Sequence, residues 1–160
     1  MCVVDPEEGI RFRGKTIPEV MAELPKPKGK DYPYVEAFWH FLLTGEVPSQ
    51  KETEEVLADF KSRSAVPQYV FDLLRTLPRD THPMTMFSAA IVAMQRESKF
   101  AEFYKSGYDR MTGWEYMYED ATDIMARIPQ IAAYIYRMKY RNDTPIAPIR
   151  ISISAATSPT

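Results

Sequence analysis

Apolar residues recur at helical spacing along most of this chain, in segments punctuated by proline, glycine and capping residues. Near the start the period is two instead: Ile10 and Phe12 alternate with Arg11 and Arg13, after the turn signals Asp5-Pro6 and Gly9. That pattern predicts a short N-terminal β-hairpin. Pro18 then opens a short helix, "PEVMAEL", closed by the linker Pro25-Lys26-Pro27-Lys28-Gly29.

From Tyr34 to Gly45, "YVEAFWHFLLTG" is apolar almost all the way round, which predicts a helix buried on every side at the centre of the core, with Gly45 as its C-cap. Ser49 and Glu52 have the spacing of a reciprocal capping box and predict a helix running to about Arg63. Pro67 begins another, with Val70, Phe71 and Leu74 on one face and Leu77-Pro78 at its end.

Two longer helices follow. In "HPMTMFSAAIVAMQRES", Pro83 suits a first turn, Met84, Phe87, Ile91 and Met94 share one face, and Ala89, Ala90 and Ala93 make a small-residue face beside it. From Trp114 to Tyr140, Ala121, Ile124, Met125, Ile128, Ala132 and Ile135 keep helical period through Pro129, so one kinked helix is expected. The predicted fold is all-α, seven or so helices plus the hairpin, without repeats. A chain of 160 residues with 45% hydrophobic content suits one domain around one core.

Charge narrows the function classes. Twenty basic and 22 acidic residues are scattered and leave a net charge of -2, so no electrostatic footprint for nucleic acid is present. The single cysteine, Cys2, can form no internal disulfide, which suits a reducing compartment. No apolar run reaches the length of a membrane span, and the opening residues have neither secretory nor transit character, which fits a cytoplasmic chain or one whose true beginning is missing.

The candidates for chemistry are few. His40 sits in the apolar helix and reads as a hydrogen-bonded core histidine, while His82 precedes Pro83 and reads as a capping or packing residue. Glu119, Asp120 and Asp123 could be an acid-base group, but interaction with the dipole at the start of the last helix accounts for them more simply. Ser88 lacks a nucleophile-elbow context, the six glycines form no phosphate loop, and no cluster has metal-ligand spacing. No catalytic, cofactor-binding or metal-binding residue is assigned.

Four stretches together resemble the mitochondrial-type citrate synthase family: "VVDPEEGIRFRGKTIPE", "AFWHFLLTGEVPS", "LPRDTHPMTMFSAAIVAMQRESKFA" and "WEYMYEDATDIMARIPQIAAYIYRMKY", in the family's order and spacing. The resemblance implies part of a large helical domain of a homodimeric enzyme that condenses acetyl-CoA with oxaloacetate to give citrate and CoA in the mitochondrial matrix. In that family one histidine steadies the acetyl enolate, an aspartate removes the methyl proton, and a second histidine polarises the oxaloacetate carbonyl. Those residues belong to motifs not matched here, and neither His40 nor His82 occupies one.

The matched stretches carry scaffold, so the expectation is a truncated synthase that is inactive alone, or as the alternative a non-enzymatic helical dimerisation module that pairs with itself or with an intact synthase subunit. The resemblance places the long helices at the dimer axis, with Met84, Phe87, Ala89, Ala90, Ile91, Ala93, Ile128, Ala132, Ala133 and Ile135 as the expected interface. Residues 3–147 are then a partial large domain, short at both ends. Residues 148–160, "PIRISISAATSPT", read as a non-family tail, either disordered or frameshifted: back-translated and shifted by one frame, they resemble the family's next acidic stretch.

Overall fold

A computed structural model of the chain describes residues 4–7, 9–107 and 109–141; the expectation for residues 148–160 falls outside these. The fold is all-α, with a two-stranded sheet as its only regular β structure among the described residues. The chain divides into two compact units, residues 1–62 and 63–160, and each has its own cluster of buried apolar side chains where the sequence predicts one core.

In the first unit, strands β1 (Arg11–Phe12) and β2 (Lys15–Thr16) pair antiparallel, Arg11 with Thr16 and Phe12 with Lys15. The hairpin is present, but its turn is Arg13-Gly14, both at positive φ (51° and 86°), while Asp5 and Gly9 form an isolated bridge. A left-handed pair at both turn positions matches the twist of the flanking strands. Arg13 also reaches away from the turn: its Nε and Nη2 each donate at 2.8 Å to the carbonyls of Leu42 and Leu43. It thereby satisfies two carbonyls that the last turn of a helix leaves without partners.

Helix α1 (Ile17–Glu23) starts on a capping box between Thr16 and Glu19, and α2 (Val35–Thr44) ends on Gly45 at φ 83°. Val20, Leu24, Ala37 and Phe41 form this unit's core, with Phe12 edge-on to Phe38. Burial of α2 on every side does not hold: Ala37 and Phe41 are buried, whereas Val35 and Leu43 face solvent. An all-apolar helix buries only the faces that the chain supplies with neighbours. Helix α3 (Gln50–Arg63) opens on the expected box, Ser49 N–H to Glu52 Oε2 at 2.7 Å and Glu52 N–H to Ser49 Oγ at 3.2 Å.

In the second unit, α4 (Gln68–Thr76), α5 (Pro83–Ala93), a 3₁₀ turn (Met94–Glu97), α6 (Lys99–Gly107) and α7 (Gly113–Tyr140) follow in order. Helix α6 is an element the apolar pattern does not announce. Val70, Leu74, Met86, Ala90, Met94, Ile131 and Ile135 form the core. Each of its larger side chains contributes about 1.5–3 kcal/mol by leaving water. Helix α7 runs unbroken through Pro129 over 28 residues. Among the described residues no helix is long and apolar enough to cross a membrane.

Candidate functional site

Helix α5 is positioned from its first residue. His82 is its N-cap: Nδ1 accepts from Met84 N–H at 3.2 Å, and its carbonyl accepts from Thr85 and Met86. The ring is therefore held by backbone, as capping demands of a side-chain acceptor. With this start, Met86, Ala90 and Met94 turn inward onto α4 and α7.

The residues expected at an interface divide between the chain's own core and its surface. Ala90 (0% exposed) and Ile135 (4%) belong to the chain's own core and have no surface to offer a partner. Phe87 and Ile91 pack against the rim of that core, and Ala89, Ala93, Ile128 and Ala133 are half-buried. Met84, at 60% exposure, and Ala132 stand in solvent. Spacing alone gives the period of a helix and not its rotation, which here is set by Val70, Leu74 and Ile131.

At the other end of α7 a charged network ties three segments of the second unit together. Arg63 donates to Glu119 Oε2 at 2.7 Å and to Asp123 Oδ1 at 3.0 Å, and Lys99 Nζ donates to Glu119 Oε2 at 2.8 Å. Asp123 also faces Lys99 at 3.7 Å and Arg127 at 3.9 Å. The hydrogen bond from Arg63, followed by that from Lys99, holds the Glu119 carboxyl down at about 2. The same Glu119 contact pushes Lys99 upward.

Asp120 has a different task. Its Oδ1 accepts from Lys99 N–H at 2.8 Å, and its Oδ2 accepts from Ser98 Oγ at 2.6 Å and Phe100 N–H at 3.2 Å. Ser98 Oγ in turn accepts from Ala101 N–H at 2.9 Å. A carboxylate on α7 thus caps α6, satisfying amides that would otherwise lack partners. The dipole of α7 does not explain these acids, because that helix begins at Gly113 and they lie beyond its first turn.

Beside the network a cleft of about 190 Å³ opens, with Ile91, Met94 and Ile124 as apolar wall and Gln95, Ser98 and Arg127 among its polar lining. Its carboxylates Asp120 and Asp123 already accept from amides, a hydroxyl or guanidinium, which suits holding helices together better than moving protons. Arg63, Ser98 and Lys99 are the members that sequence reasoning misses. The S-K-F-x-E run after the 3₁₀ turn, with serine at an N-cap position, was the available signal.

A family model described as citrate synthase, C-terminal domain, matches residues 1–157. The chain belongs to the citrate synthase family. It is 48% identical over 140 residues to the peroxisomal citrate synthase of Saccharomyces cerevisiae and 46% identical over 140 residues to the mitochondrial citrate synthase of the same yeast. It is also 46% identical over 147 residues to a probable mitochondrial citrate synthase of Caenorhabditis elegans. These alignments take in 88%, 88% and 92% of this chain but 30%, 29% and 31% of the relatives, so the chain spans about a third of the length of the citrate synthases it matches.

Within this member of the citrate synthase family, one histidine stands at the start of α5 and the other lies in α2. His82 caps α5, and the half-buried His40 has its Nδ1 3.4 Å from Thr44 Oγ1 one turn along α2. Among the described residues, no group of three His, Cys, Asp or Glu side chains is placed to hold a metal ion.

Proposed function

We propose that this chain supplies helical framework to a citrate synthase and does not by itself condense acetyl-CoA with oxaloacetate. The reaction joins the acetyl methyl carbon to the oxaloacetate carbonyl carbon and then hydrolyses the thioester to citrate and CoA. It needs a base at the methyl carbon and a donor at the developing enolate oxygen in one site. The observation that carries the reading is His82: its Nδ1 accepts from the Met84 amide, so the ring caps α5 and stands at a helix start. The carboxylates on α7 support it, since Glu119 and Asp123 are bound by Arg63 and Lys99.

In this reading the chain acts as a homodimer or pairs with an intact synthase subunit through its long helices. Its place in this reading is the mitochondrion, by likeness to relatives named mitochondrial, beside one named peroxisomal. A second reading, a helical pairing module with no part in the reaction, is favoured by the exposed apolar positions Met84 and Ala132. The test is thiol release from acetyl-CoA by the purified chain, alone and mixed with intact enzyme. No oxaloacetate-dependent release by the chain alone is expected, and release above the protein-free rate refutes the proposal. Co-migration with intact enzyme in a defined heterodimer separates framework that joins a synthase from a module that pairs only with itself.

A further inference from the structure

We draw no further inference here: the strongest candidate, the apolar face of α2 in the first unit on which Val35 and Leu43 stand in solvent, carries nothing because nothing in the structure shows what covers it.

Discussion

Arg63, the last residue of α3, grips Glu119 in the second turn of α7 with both terminal nitrogens, at 2.7 and 3.4 Å. Because the pair holds the Glu119 carboxyl at about 2 against an ordinary 4.5, its contribution is complete above pH 4.5 and is lost as the pH falls towards 2. The expected outcome is acid destabilisation in that window, read as a falling urea midpoint. A Glu119→Gln chain should start less stable at pH 7 and lose less between pH 5 and pH 2.

The cap that Asp120 places on α6 should be separable from the ion pairs beside it. Asp120→Ala, or Ser98→Ala, removes a capping acceptor, for which the ordinary cost is about 0.5–2 kcal/mol. Thermal melting should register that loss, and the amide resonances of Lys99 to Ala101 should move furthest. A variant whose melting and α6 resonances match the parent would remove the cap from the account.

Two arginine substitutions one helix apart should behave oppositely. Ala90 has no exposed surface, so Ala90→Arg puts an unpaired charge into the core at more than about 3 kcal/mol and should leave the chain unfolded by circular dichroism. Ala132 faces solvent, so Ala132→Arg should keep the helical signal and weaken association in sedimentation. Equal melting temperatures for the two chains would contradict the rotation of α5 described above.

His82→Ala should lower stability by about 0.5–2 kcal/mol through loss of the α5 cap. His82→Asn should restore most of it, since asparagine caps as well. Calorimetric titration with oxaloacetate should not distinguish the three chains. Loss of an oxaloacetate signal with unchanged melting would assign the ring to a ligand.

Much of this framework is written in local chemistry. Ser49 and Glu52, Pro83 and Gly45 act on their immediate neighbours, and each marks a helix end where the sequence predicts it. The partnership of Arg63 with Glu119 spans 56 residues and Asp120's hold on Ser98 spans 22, and no local pattern announces either. Helix α6 escapes for the same reason: its start depends on a carboxylate that arrives from another helix. The rotation of α5 depends on Val70 and Leu74, so its buried residues could be assigned to the wrong face although its limits at Pro83 and Ala93 are legible. The overlong estimate for α2's burial has one cause as well, since apolar character states what a face prefers and not whether a neighbour is there.

Pro129 divides α7 unequally in one further respect. Lacking an amide hydrogen, it cannot bond the Met125 carbonyl, so one rung of the ladder is missing near the middle of a 28-residue helix whose ends are tied by the charged network and by Lys139 to the Arg79 and Thr81 carbonyls. Isolated helices fray inwards from their ends, but this one is also held inside its length, by the network from Glu119 to Arg127 and by Lys139 near its last turn. The turn around Pro129 should therefore exchange its amides with solvent deuterium faster than the turns held by the network and by Lys139 on either side of it.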